Sequence, residues 1–319
     1  MCDDPGMTTN EPVAPLGSAD MKVRIGYGLG TRTSLHDERF GAVVDELERL
    51  AFDSLWVSER ISADAPDPMV AMAYAAGRTT NLKFGMSVMV LPGRNPIVLA
   101  KAIASLATMS GGRLLPAFGL GQVHALEQQA FGVERSERAR WFDESMAVMR
   151  QCWSGRPVVH EGERYHYDGV QVRPVPTRMD VWLGGYAPSE LKRVGRLADG
   201  WLPSFVTPAD AEAGRAVIEQ VLDEHEREIE PDHYGVLIPY SLGGVPDTTM
   251  ALLAKRRPDI DPAEIVPTSW DELITLIRRF VDVGTTKFVI LPIDEPTGVD
   301  EWTAHLREAA DAVLPLETR

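Results

Sequence analysis

The stretch Leu82–Leu120, LKFGMSVMVLPGRNPIVLAKAIASLATMSGGRLLPAFGL, decides the fold. Leu82–Val90 is a short apolar run and reads as a buried strand. Ile97–Met109 (IVLAKAIASLATM) has the length and the Ala/Leu content of a helix. Gly111–Gly112 stop that helix, and Arg113–Leu120 (RLLPAFGL) is strand-like again. A strand that returns through a helix to another strand makes a parallel pair.

The same unit repeats in both directions. Upstream, Val23–Leu29 is followed by the helical pattern Phe40–Leu50. Ser54–Ser58 is followed by Asp67 and Pro68, an N-cap with proline at the first helical position, and by Met69–Arg78. Downstream come Val181–Leu183 with Glu190–Leu197, Gly200–Pro203 with Ala209–Glu226, Tyr234–Tyr240 with Leu273–Val283, and Lys287–Leu291 with Glu301–Val313. Eight such units predict an α/β fold, a (β/α)8 TIM barrel with insertions, and a doubly wound sheet is the alternative. Two stretches interrupt the rhythm. Pro157–Pro176 alternates and carries turn glycines, so an inserted hairpin or extended segment is expected over about 153–178. Gly243–Pro267, with Pro246, Pro258, Pro262 and Pro267, reads as a long loop over about 243–268, either a lid or a surface insertion. Residues 1–20 are polar, acidic and rich in Pro and Gly, and read as a disordered tail without a signal-peptide pattern. Residues 21–319 are expected to form a single barrel domain.

Of 319 residues, 44% are hydrophobic and 25% charged, an ordinary globular composition, and the net charge is −15. That acidity disfavours nucleic acid and anionic lipid as partners. No apolar run approaches the ~20 residues of a membrane span. The two cysteines, Cys2 and Cys152, have no metal-type spacing, and a reducing, cytoplasmic location is expected.

In such barrels chemistry sits at the C-terminal ends of the strands. The Gly184–Gly185–Tyr186 turn before a helix is expected to leave backbone N–H groups free for a phosphate, although an ordinary tight turn has the same look. Gly26, Gly28 and Gly30 alternate along the first strand and suggest a ligand crowding it.

Three stretches together resemble the luciferase-like flavin and deazaflavin oxidoreductases. They are Phe84–Gly112 (FGMSVMVLPGRNPIVLAKAIASLATMSGG), Gly119–Leu120–Gly121 followed by Arg138–Glu144 (RARWFDE), and Val181–Pro203 (VWLGGYAPSELKRVGRLADGWLP). The resemblance runs from about Val23 to Leu314. It implies a cofactor ring against Ser58, Ser87, Val88, Gly119, Gly121 and Gln122, with its phosphate held by Gly184, Gly185, Tyr186, Pro203 and Ser204. Ser87–Val88 matches the position where many relatives have a non-proline cis peptide bond. The coenzyme F420, a deazaflavin, is the expected cofactor and FMN the alternative. Hydride exchange with an organic small molecule follows for F420, monooxygenation for FMN. A flavin-binding protein without catalysis is the reading from another class. Relatives are commonly homodimers.

The chain departs from the pattern at two strand ends. Many relatives have Ser-Asp-His after the second strand; here it is Ser58–Glu59–Arg60. Arginine stays protonated and is a poor base, so Arg60 is expected to orient an acidic or carbonyl substrate. Glu59 is expected to meet the ring, with a pKa raised by burial. Relatives that oxidise sugar phosphates place Glu after the fourth-strand Gly-x-Gly; here Gln122 follows it. No lysine lies near the sixth-strand end, which disfavours a sugar phosphate. His124 is the nearest histidine and an acid/base candidate, with His36 as another at the rim. No metal is expected.

Overall fold

The computed structural model describes residues 21–31, 33 and 38–318. The expected tail, Cys2 and His36 lie outside the described residues.

In chain order the elements are β1 (Arg24–Leu29), α1 (Glu38–Arg49), β2 (Ser54–Val57), α2 (Pro68–Arg78), β3 (Lys83–Met86), β4 (Met89–Val90), α3 (Pro96–Met109), β5 (Leu114–Leu115), β6 (Ala117–Gly119), α4 (Ala125–Phe131), α5 (Arg138–Trp153), β7 (Val158–Glu161), β8 (His166–Val170), β9 (Trp182–Leu183), α6 (Pro188–Leu197), β10 (Gly200–Trp201), α7 (Pro208–Glu224), β11 (Gly235–Tyr240), α8 (Asp247–Arg256), α9 (Trp270–Asp282), β12 (Lys287–Pro292) and α10 (Val299–Val313). The hairpin expected in the first interruption is the antiparallel pair β7–β8. Asp67 caps α2 as read from the sequence, its side chain accepting from Met69 N at 2.9 Å and Val70 N at 3.1 Å.

The barrel strands pair in two parallel runs, β11–β12–β1–β2–β3–β5 and β10–β9–β6–β4. β3 and β4 are halves of one pass, split at Ser87–Val88, and β5 and β6 are halves of the next, split at Pro116, so the two runs share both passes. The remaining seam is joined by parallel bridges from Trp201 to Tyr234 and from Ser204 to Leu237. There Leu237 N–H donates to Pro203 O at 2.9 Å. The ring therefore closes, and the expected barrel is observed.

Side chains fill its interior, and glycines make the room. A Cβ at Gly26 would lie 2.3 Å from Ser54 Oγ and 3.0 Å from Trp56 Nε1. One at Gly85 would lie 2.7 Å from the Trp56 ring, and one at Gly28 would lie 3.1 Å from Val289 Cγ1. The alternating glycines of β1 thus answer to the barrel's own side chains. The ligand crowding expected there from the sequence is corrected at Gly26 and Gly28. Trp56 meets Trp182 edge-on, with ring centroids 6.3 Å apart.

At the N-terminal ends of the strands Asp53 binds Lys287, and also Lys83 at 2.9 Å. Lys287 donates as well to Ser54 Oγ at 2.7 Å. Burial opposes ionisation of Asp53, but the two ammonium groups outweigh it and hold the carboxyl well below its ordinary range.

The second interruption differs from the expectation of a long loop, because it contains α8. Only Thr249 and Leu253 of that helix are buried. It therefore shows no broad apolar stripe, and the prolines on both sides mask it further. Leu253 packs with Ile265 and Val266 in a small apolar cluster separate from the main core.

Asp53→Ala leaves Lys287 buried without its counter-charge and should cost about 3–5 kcal/mol in urea unfolding at neutral pH. The depressed carboxyl contributes fully above its unfolded value of ~3.9 and loses that contribution as pH falls towards the folded value. The difference between parent and variant should therefore shrink in acid, and a constant difference down to strongly acid pH would contradict the pairing.

Candidate active site

Five strand-end residues predicted from the sequence meet at one place. Ser58 ends the pass of β2, and its hydroxyl lies 3.4 Å from both Ser87 Oγ and Ser87 O. The Ser87–Val88 peptide bond is cis. Val88 faces the next two passes, since a Cβ at Gly119 would lie 2.5 Å from Val88 Cγ2 and one at Gly184 would lie 3.6 Å from Val88 Cγ1. Ser87, Val88, Gly119 and Gly184 are all partly exposed, so Val88 and the bare backbone of β6 and of the turn after β9 form an open platform. A small crevice beside it is lined by Leu29, Gly30, Thr33, Val57 and Ser58. The larger surface hollow lies on the outside of the barrel, between α6 and α7, and includes none of these strand ends.

Gly121 has φ +85°, and Val90 and Arg138 stand against it. The buried Arg138 donates to Gln122 O at 2.9 Å and Leu120 O at 3.3 Å. The turn is thus held through its backbone, and the side chain of Gln122 stays exposed.

Glu59 is placed differently from its expected role. Its Oε2 accepts from Val90 N at 2.7 Å and its Oε1 pairs with Arg94. With both oxygens engaged and the side chain only 3% exposed, the carboxylate braces β4 and is turned away from the open platform. Burial does push its pKa up, against the Val90 hydrogen bond and the Arg94 charge. Arg94, which no local motif announces, also donates to Val90 O at 2.8 Å and lies over the Phe131 ring.

The phosphate turn needs a second correction. Gly185 has φ +94°, its carbonyl accepts from Trp201 Nε1 at 2.9 Å, and a Cβ there would meet Glu190 at 2.5 Å. The carboxylate of Glu190 accepts from Tyr186 N and from Ala187 N, both at 3.0 Å. Those two amides, expected to be free, are capped by the chain itself. Glu190 stands three residues after Ala187 and supplies the carboxylate half of a capping box, while Ala187 has no side-chain acceptor to supply the other half. The Tyr186 hydroxyl donates to Asp210 at 3.0 Å, and Asp210 in turn pairs with Arg257 at 2.9 Å. Pro203 is buried and Ser204 half-buried at the seam of the barrel.

The sequence shows no lysine at the sixth-strand end, yet a cation reaches it from α8. Arg256 lies 4.5 Å over the Phe205 ring, and Arg257 donates to Phe205 O at 2.7 Å.

Arg60 and His124 stand on neighbouring segments. The buried Glu127 of α4 accepts from Ile61 N and Ser62 N, both at 3.1 Å, and from Ser62 Oγ at 2.7 Å. It thereby fastens the segment after β2 to the start of α4. Arg60 Nε and His124 Nδ1 are both buried and have no hydrogen-bond partner among the described residues. Glu127 was not legible in the sequence, because its partners lie 65 and 66 residues away.

A closed parallel barrel with an open, glycine-flanked platform at the C-terminal strand ends places the chain among the (β/α)8 barrels. The family model for the luciferase-like monooxygenases matches residues 23–260, and the chain belongs to that family. It is 29% identical over 188 residues to the F420-dependent glucose-6-phosphate dehydrogenase of Kineococcus radiotolerans, covering 54% of this chain and just over half, 55%, of that protein. The enzyme of the same name from Nakamurella multipartita is 26% identical over 280 residues, or 74% of this chain and 81% of the relative. Among solved structures, an F420-dependent secondary alcohol dehydrogenase in complex with an F420–acetone adduct superposes with TM-score 0.75 at 20% identity, over 93% of this chain and all of that one. The oxygenating constituent of 3,6-diketocamphane monooxygenase from Pseudomonas putida, in complex with FMN, superposes with TM-score 0.71 at 16% identity, over 93% of this chain and 99% of that one. Among the described residues no helix is long and apolar enough to cross a membrane.

Glu59→Gln keeps an acceptor for Val90 N but leaves Arg94 without its charge partner. It should lower unfolding free energy by about 1–3 kcal/mol in urea titration. A loss confined to ligand binding, with unchanged stability, would return Glu59 to the role expected from the sequence.

Proposed function

We propose that this chain is a cytoplasmic F420-dependent oxidoreductase that exchanges hydride between the deazaflavin and a small organic substrate. The observation that carries this reading is the platform of Ser58, Ser87, Val88, Gly119 and Gly184, together with relatives named for F420. Bare glycine backbone on two strands admits a flat ring to close range, and the cis Ser87–Val88 unit stands where the family resemblance puts the back of that ring. The bound cofactor would supply hydride chemistry at a ring carbon. Gly184, Gly185 and Ser204 would hold its phosphate, with the Tyr186 and Ala187 amides kept for Glu190. Arg60 would meet the substrate. Sugar phosphate is disfavoured in this reading, because Gln122 stands where the relatives that oxidise sugar phosphates place Glu. A homodimer belongs to the same reading, supported by the exposed Val70 and Tyr74 of α2 and Val98 and Met109 of α3.

The protein purified from a host that makes both cofactors should carry the absorption of a deazaflavin. The spectrum of FMN would overturn the assignment in favour of a monooxygenase. Ser204→Ala should weaken F420 roughly fivefold in a fluorescence titration, the worth of about one hydrogen bond. An unchanged affinity would remove Ser204 from the phosphate site.

A further inference from the structure

No metal is expected from the sequence, yet the fold gathers metal-ligating side chains at the end of the barrel opposite the platform. There the chain leading into β11 makes one short helical turn, Pro231–His233. The turn stands at the seam of the ring, where β10 and β11 are joined by the bridges from Trp201 to Tyr234 and from Ser204 to Leu237 in place of a continuous ladder. His233 spans the same seam. Its Nδ1 lies 2.7 Å from the carbonyl oxygen of Asp199, the residue before β10. A carbonyl only accepts, so Nδ1 carries the proton and Nε2 the lone pair.

That lone pair makes no hydrogen bond among the described residues, although the side chain is only 15% exposed. It faces Glu230, whose Oε2 is 3.7 Å away. The gap is too long for a hydrogen bond. It suits a shared cation, since two ligand atoms each about 2.1 Å from one ion stand roughly 3–4 Å apart. Asp232 completes the set: one ligand atom from each of Glu230, Asp232 and His233 lies within 4.8 Å of the others. The imidazole is held from behind by the Asp199 carbonyl and by the Trp182 ring, 5.1 Å away. A backbone carbonyl on the far nitrogen is the usual support of a metal-binding histidine.

The cations already present leave room for an ion. Arg178 takes Glu230 through Oε1 at 2.8 Å, so Oε2 stays toward His233, and its Nε pairs with Asp180. Lys22 is 67% exposed and lies 3.7 Å from Asp232, beyond hydrogen-bonding reach. An exposed pair of that kind is worth little and yields to a divalent ion. Asp180, Glu230 and Asp232 outnumber Arg178 and Lys22, so the cluster is net negative in a chain of net charge −15.

We propose that Glu230, Asp232 and His233 bind one divalent transition-metal ion of the zinc class, and that the ion clamps the seam between β10 and β11. Imidazole with carboxylates suits zinc, cobalt and their neighbours, whereas calcium and magnesium take oxygen ligands. Three protein ligands leave a fourth, tetrahedral position to water. The N-terminal strand ends of such barrels serve stability and the C-terminal ends chemistry, so the role of the ion is to hold the ring closed. The inference is independent of the cofactor reading.

The test uses the full chain without an affinity tag, freed of metal with EDTA and titrated with Co2+ by calorimetry and visible absorption. One equivalent should bind, and Zn2+ should displace it. The urea midpoint should rise with Zn2+, and go on rising with the logarithm of its concentration beyond saturation. His233→Asn keeps an amide donor for the Asp199 carbonyl but removes the Nε2 ligand. That variant and Asp232→Asn should each weaken Co2+ roughly a hundredfold and lose the zinc-dependent rise. Asp232→Asn, at a half-buried surface position, carries the test alone should the His233 variant fail to fold. No binding of Co2+ or Zn2+ at millimolar concentration, parental affinity in the variants, or binding that leaves the urea midpoint of the parent unmoved would overturn the proposal.

Discussion

Trp56 has to fit inside a ring of eight short parallel passes, and the surrounding strands are arranged to let it. Gly26 and Gly85 leave the volume that its ring occupies, and Trp182 closes against its edge. A Cβ at either glycine would sit within about 3 Å of Ser54 or Trp56 atoms, closer than real side chains approach. Below this layer Asp53 pairs with Lys287 and Lys83 at the N-terminal end. The interior is therefore packed from the base to the level of Trp56, and the open space for chemistry begins only at Ser58 and Ser87.

Above that packing the rim is irregular. The third and fourth passes are each split in two, at Ser87–Val88 and at Pro116, and their upper halves pair in a separate run. The breaks move Val88 between Gly119 and Gly184. Three carboxylates stabilise the resulting loops: Glu59 holds Val90, Glu127 holds Ile61 and Ser62, and Glu190 holds Tyr186 and Ala187. Each accepts from backbone N–H groups that the irregular rim would otherwise leave unpaired, which is why acidic residues near this mouth are structural fasteners before they are candidates for acid catalysis.

Surfaces of different chemistry stand around the mouth. The platform side, β4, β6 and the turn after β9, is bare backbone and small side chains, suited to a flat ring. Ile61 after β2 and Val123 and Leu126 after β6 are exposed and apolar, and α8 brings two arginines over the sixth-strand end.

The sequence by itself determined the alternation of strands and helices, the cap at Asp67, the insertion over about 153–178 and the strand ends where a site could form. These are local matters: periodicity, turn residues and spacing within a few positions carry them. The resemblance of Phe84–Gly112 and Val181–Pro203 to the luciferase-like enzymes added the family, which residues 23–260 bear out. Tertiary structure alone decided what the candidate residues touch. Glu59 belongs to Arg94, 35 positions on, and the α8 arginines reach Phe205 from about 50 positions on. The glycines of β1 make room for Trp56 and Val289, not for a ligand. Contacts at such separations depend on how the ring closes, and no local pattern in the chain encodes them.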